Sequence, residues 1–111
     1  MSSDSYNVVY SSEALNDLRD IYSYIAQELL TPDTALNQVN RLRKEIRSIN
    51  FMPFRYALVD WEPWKSIGMH KVPVDNYIVF YTIDNNSMTV AVIRILYGGR
   101  DIESIATRNQ K

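Results

Sequence analysis

Seven side chains in the second half of the chain have types suited to acting on an anionic group: His70, Lys71, Arg94, Tyr97 and Arg100, with Arg55 and Lys65 ahead of them. A single imidazole among cations is the equipment for metal-free acid–base chemistry. The imidazole moves protons near neutral pH, while guanidinium and ammonium groups hold developing negative charge. Each residue also has a plainer use. His70 alternates with Val72 and Val74, which suits an inward-pointing, hydrogen-bonded core residue, whereas Lys71 shares the other face with Met69, where a solvated lysine is ordinary. Arg94 follows Val90 and Val92 and can pair with an acid such as Glu62. Arg100 has Asp101 and Glu103 within local reach, and Tyr97 is either a core residue or a stacking platform. Trp61 and Trp64 offer flat stacking surfaces, although loop tryptophans commonly plug cores.

Other chemistries find less support. One histidine, no cysteine and scattered acids provide no ligand spacing for zinc and no acidic loop for calcium, so no metal and no cofactor is expected. Gly98 and Gly99 follow a strand but precede Arg100 and Asp101, without the further glycine or lysine of a nucleotide loop. A basic run, Arg41, Arg43, Lys44 and Arg47, has two readings: a solvated helix face, or nucleic-acid contact through Arg43, Lys44 and Arg47 alongside Lys65 and Arg55. The formal net charge of −1 and a pI near 5.7 weigh against a general positive field for gripping phosphates, which leaves only a local basic surface.

The elements that must position these groups are legible from periodicity. Tyrosine and valine mark a short strand over 6–10. Ser11 or Ser12 then caps a helix reaching about residue 30, with Glu13 favoured by the helix dipole and Leu15, Leu18, Tyr22, Ile25 and Leu29 as its apolar stripe. Pro32 cannot continue that helix but suits the first turn of another, capped by Thr31 and striped by Ala35, Val39, Leu42, Ile46 and Ile49. Residues 51–67 lose the helical period and hold two prolines and five aromatics, which predicts an irregular, partly packed loop. Strands follow over 68–74, 77–83 and 88–96, joined by turns at 75–76 and 84–87. The last two strands are apolar at nearly every position, so both of their faces should be covered, one by the helices. Asp101 caps a short final helix containing Ile102 and Ile105, and residues 107–111 form a polar tail.

The expected fold is thus α+β: an N-terminal strand, a helical hairpin packed on an antiparallel β-meander, and a short C-terminal helix. A chain of 111 residues fits one domain, 1–111, and without cysteine its stability must come from packing. No apolar run approaches the roughly 18 residues of a membrane span, and residues 1–10 lack the pattern of a secretory signal, so a cytoplasmic protein without membrane partners is expected.

This order of elements, with Tyr77-Ile78-Val79-Phe80-Tyr81 on the third strand and Arg94-Ile95-Leu96-Tyr97-Gly98-Gly99-Arg100-Asp101 at the end, resembles the RelE/ParE toxin superfamily from Tyr6 to Ile105. The resemblance implies the toxin of a type II toxin–antitoxin system, held inactive by a cognate antitoxin protein and arresting growth when freed. RelE-like members cut mRNA in the ribosomal A site, and ParE-like members poison DNA gyrase. For cutting, the resemblance puts Arg100 at the family's terminal phosphate-facing arginine and Tyr97 where relatives carry a histidine or an aromatic. His70, Lys71 and Arg94 would complete the set. The sequence departs from RNA-cleaving relatives at Ile78, where they carry an arginine, and an aliphatic side chain cannot stabilise phosphate charge. Ribosome-dependent mRNA cleavage is the leading expectation, gyrase inhibition without nuclease chemistry the alternative, and an inactive antitoxin-binding module the third.

Overall fold

The computed structural model describes residues 5–99 and Ile102. Its elements are β1 (Asn7–Tyr10), α1 (Ser12–Ser23), α2 (Pro32–Arg47), β2 (His70–Val74), β3 (Tyr77–Asp84) and β4 (Thr89–Tyr97). Ser11 caps α1, its hydroxyl accepting from the Ala14 N–H at 3.0 Å while donating to the Ile93 carbonyl at 2.8 Å. The same side chain therefore starts the helix and ties it to β4. A π-helical turn, Tyr24–Glu28, continues α1, and Leu30 takes a left-handed φ of 55° to end it. Thr31 stands at the cap position of α2, yet its hydroxyl donates backward to the Ile25 carbonyl at 3.2 Å. It closes the first helix rather than capping the second, whose first turn is left to Pro32.

The buried stripe of α1 is Ala14, Leu18, Ile21 and Ile25, with Asp17 among them. This corrects the expected stripe, since Leu15, Tyr22 and Leu29 are 42%, 40% and 53% exposed. Apolar residues span a wider arc of α1 than the sheet contacts, and the bond from Asp17 to β4 decides which edge of that arc turns inward. On α2 the stripe is Ala35, Gln38, Leu42 and Ile46, extended by Ile49, while Val39 is only half buried. Gln38 takes its place because its amide donates to Asp75 at 2.9 Å.

The sheet order is β1-β4-β3-β2. Strands β2, β3 and β4 form the expected antiparallel meander, but β1 pairs with β4 in parallel, so the sheet is mixed rather than wholly antiparallel. The helical hairpin carries the chain from one edge to the other, and the returning meander brings its last strand beside the first. Asp75 adopts a φ of 55° in the β2–β3 turn, and its carboxylate accepts from Gln38 and from Arg41 at 2.8 Å, fastening α2 to that turn.

Two cores cover the sheet. The helix side buries Ile21, Leu42, Ile46, Val79, Tyr81, Val92 and Ile95. The other face is closed by Val59, Trp64 and Met69 against Phe80 and Leu96, with Trp61 and Ile78 packed around them. The irregular loop is therefore the cover that the strands' two-sided apolarity demanded. Trp64 lies 4.7 Å from the Phe80 ring and stacks with Trp61 at 5.1 Å. Apart from Ile102, which packs on this second core, the expected final helix and polar tail lie outside the described residues.

Candidate functional site

His70 opens β2 and is 8% exposed. Its Nδ1 is 2.9 Å from the Tyr56 carbonyl oxygen, which can only accept, so Nδ1 carries the proton. The ring stacks on Tyr81 at 5.3 Å and meets the edge of Phe54 at 6.4 Å. Tyr81 in turn donates to the Pro53 carbonyl at 2.7 Å, and burial pushes its phenol pKa well above the ordinary value. His70 and Tyr81 thus lock the loop carrying Pro53 and Tyr56 onto the sheet.

Lys71 is the next residue and points to the opposite face, paired in register with Phe80. Arg94 sits at a β-bulge: Tyr81 pairs with Val92 and Phe80 with Arg94, leaving Ile93 extra. Strand β1 covers the outer edge of β4 only as far as Val92, and α1 takes over from there. The Asp17 carboxylate accepts from Arg94 Nε at 2.8 Å, from Arg94 Nη2 at 3.1 Å and from the Ile95 N–H at 2.8 Å. The expected partner of Arg94, Glu62, instead accepts from the Ser66 N–H at 3.0 Å, and its pKa is lowered by the Ser66 side chain first and by that N–H second. The hydrogen bonds to Asp17 raise the pKa of Arg94 against the opposing effect of its burial.

Tyr97 ends β4, half exposed, with its ring edge-on to Tyr77 at 5.9 Å. Burial raises the Tyr77 pKa, and the neighbouring Tyr97 adds to the shift. Tyr97 is in register with Tyr77 and through it with Val74, four residues along β2 from His70. Strand rise and spacing therefore separate the Tyr97 and His70 backbones by roughly 16 Å. Arg100 lies outside the described residues.

The other cations are spread around the molecule. Arg55 is exposed, donates to the Phe51 carbonyl and the Tyr56 hydroxyl, and lies over the Tyr56 ring at 4.7 Å. Lys65 is exposed in the loop beside Trp64. Arg43, Lys44 and Arg47 line the solvent face of α2, with the Arg43 guanidinium 5.5 Å from the Tyr10 ring. Burial raises the Tyr10 pKa although Arg43 and Arg47 pull it down.

Two clefts flank the line of α1 that faces β4. One, of 460 Å³, is walled by Glu13, Asn16, Asp20, Trp64 and the Asp17–Arg94 pair. The other, of 620 Å³, has Ile21, Ile25, Ile95 and Leu96 among its walls, with Tyr24, Leu29 and Tyr97 at its rim. Periodicity held a signal for this region, since Asp17 falls between Ala14 and Ile21 at helical spacing and so marks an acid on the buried stripe. Among the described residues no group of three or more His, Cys, Asp or Glu side chains is placed to hold a metal, and no helix is long and apolar enough to cross a membrane.

The sequence pattern of the ParE toxin of type II toxin–antitoxin systems, parDE, matches residues 8–102. None of the curated proteins matches the chain in sequence. Among solved structures it is similar to the chromosomal ParDE system from P. aeruginosa, with a TM-score of 0.70 and 17% identity over 86% of this chain and 98% of that one. A free mutant form of the E. coli toxin RelE superposes with a TM-score of 0.62 and 16% identity over 95% of this chain and 97% of that one. The intact E. coli RelBE toxin–antitoxin complex gives a TM-score of 0.57 and 16% identity over 86% of this chain and 99% of that one. At such identities the structural likeness establishes the fold.

Proposed function

Because the chain belongs to the ParE toxin family of type II toxin–antitoxin systems, we propose that it arrests growth by seating on DNA gyrase in the cytoplasm, without nuclease chemistry. A cognate antitoxin protein holds it inactive. This reverses the order in which the sequence ranked mRNA cleavage and gyrase inhibition. The observation that carries the reversal is the dispersal of the acid–base candidates among the described residues. His70 is committed to the Tyr56 carbonyl and the Tyr81 ring, and Arg94 to Asp17. Lys71 points to the other face from His70, and Tyr97 ends a strand roughly 16 Å from it. Metal-free RNA cleavage needs a base, an acid and a cation around one phosphate. Ile78, packed on the second core, adds no cation where RNA-cleaving relatives place one. Target inhibition by surface recognition needs no such convergence, and the match to the ParE toxin pattern over residues 8–102 supports it.

Two assays on antitoxin-free protein test the reading. Gyrase supercoiling is expected to fall with added protein, while mRNA 5′ ends in a translating extract stay unchanged. Codon-phased cuts with intact supercoiling would overturn it in favour of ribosome-dependent cleavage. If neither activity responds, the remaining role is that of an antitoxin-binding module.

A further inference from the structure

From residue 47 to residue 59 the chain carries Arg47 and Arg55 but no acid. Within that stretch Phe51, Met52 and Phe54 are each more than half exposed. Single apolar residues on a surface are ordinary, but these three stand together at the turn Pro53–Arg55 and the two residues before it. Tyr6 extends the patch from the start of β1, its ring edge-on to Phe54 at 6.1 Å.

The backbone under this patch is held from several sides. Tyr81 donates to the Pro53 carbonyl and His70 to the Tyr56 carbonyl, Ser5 bridges antiparallel to Phe51, and Arg55 donates to the Phe51 carbonyl. Met52 is kept at a φ of 50°, a left-handed conformation unfavourable for a residue with a side chain. A turn that only filled a gap would direct its rings inward, as the later part of the same loop directs Trp64 onto Phe80. Here the ties fasten the backbone and leave the rings outside. Side chains displayed on an ordered turn lose less freedom when a partner covers them.

The charge of the patch narrows the partner. The Arg55 guanidinium lies over the Tyr56 ring and donates to a carbonyl and a hydroxyl, and among the described residues it has no ion pair. A two-fold contact between copies would set this surface against itself, arginine toward arginine, with no acid from residues 47–59 to answer either. A different protein that offers an apolar pocket beside Asp or Glu meets both its rings and its cation.

We propose that Phe51, Met52, Phe54 and Arg55 form the surface that seats on gyrase, the rings entering an apolar pocket and the guanidinium meeting a carboxylate at its rim. The inference rests on the gyrase reading for the identity of the partner, and it adds which part of this chain makes the contact. The clefts beside α1 play no part in it.

The test uses the full chain free of antitoxin and purified gyrase holoenzyme, with binding to immobilised gyrase and inhibition of supercoiling both measured. Phe51→Ser/Phe54→Ser is expected to weaken both at least tenfold. Phe51→Ser alone, which keeps the ring contacts of Phe54 with Tyr6 and His70, should show a smaller loss in the same direction. Arg55→Glu should also weaken both, and its gap from the wild type should narrow as salt rises, which a purely structural role would not produce. Leu29→Ser/Leu36→Ser, equally exposed but on the helical hairpin, should act as the wild type does. All these side chains are exposed, so the folds should survive, as circular dichroism would verify. Wild-type inhibition by the folded Phe51→Ser/Phe54→Ser or Arg55→Glu variant, or an equal loss in the helical control, overturns the proposal and leaves the gyrase reading standing. So does self-association of the chain that the patch variants abolish, which would make a second copy the occupant. A wild-type chain that neither binds gyrase nor slows supercoiling overturns the gyrase reading itself, and this proposal with it.

Discussion

Asp17 accepts three hydrogen bonds from β4, two from Arg94 and one from the Ile95 amide, in a place where both side chains are nearly shielded from water. Removing the carboxylate strands a guanidinium and a backbone donor together. Asp17→Ala is therefore expected to cost about 3–5 kcal/mol, read as a lower urea midpoint at unchanged slope. Exchanging both partners for apolar residues should cost less than the single change, because no buried charge is then left alone. His70 is a different case. Its contacts are a carbonyl and two rings, so His70→Gln should lower stability by about 1–2 kcal/mol while the proposed gyrase inhibition per folded molecule is retained. Loss of activity with an intact fold would return the imidazole to the chemistry. Tyr81, like Tyr10 and Tyr77, has a phenol pKa raised by burial. Each therefore contributes stability that is present in full below the unfolded tyrosine value of about 10 and is lost as pH rises through the folded value. Alkaline titration of unfolding should show this decline, and Tyr81→Phe should make it shallower.

At the scale of elements, the loop before β2 contributes most beyond the regular structure. Trp64 is almost wholly buried against Phe80 and Trp61, so Trp64→Ala should cost about 3–5 kcal/mol and leave the far face of β3 and β4 open to solvent. Thermal unfolding with dye binding to exposed apolar surface would check it, and an unchanged melting temperature would mean that the loop covers nothing essential. Two-sided apolarity in the last strands announced such a cover in the sequence, but the identity of the cover needed the structure. An aperiodic stretch reads the same whether it packs or floats. The helices teach a related lesson. Their existence and the break at Pro32 follow from spacing and from proline's missing N–H, whereas the buried face of α1 turned toward Asp17 and away from Leu15 and Tyr22. Asp75 makes the same point from the turn. Hydrogen bonds from Arg41 and Gln38 lower its pKa, so the tie between α2 and the β2–β3 turn holds above the unfolded carboxylate value and is lost as pH falls through the folded one.

Taken whole, the molecule separates its charges despite a net value of −1, with acids along α1 at its cleft with β4 and cations along the solvent face of α2. The low net charge argued early against a general grip on phosphates, and the arrangement directs attention to protein partners. On the proposed gyrase reading, induction in cells without antitoxin should relax plasmid supercoiling before translation slows, whereas mRNA cleavage would reverse that order, and plasmid topology against pulse labelling distinguishes them. Element types, their order, the Asp75 turn and the meander were written in local patterns, because period, proline and turn chemistry act over a few residues. The family, too, could be read from the strand and terminal motifs, which hold together along the chain. Tertiary structure alone decided the parallel pairing of β1 with β4, the partner of Arg94, the burial of His70 and the distance between His70 and Tyr97. Each of these joins residues far apart in sequence, and alternation along a strand distinguishes two faces without saying what will cover either.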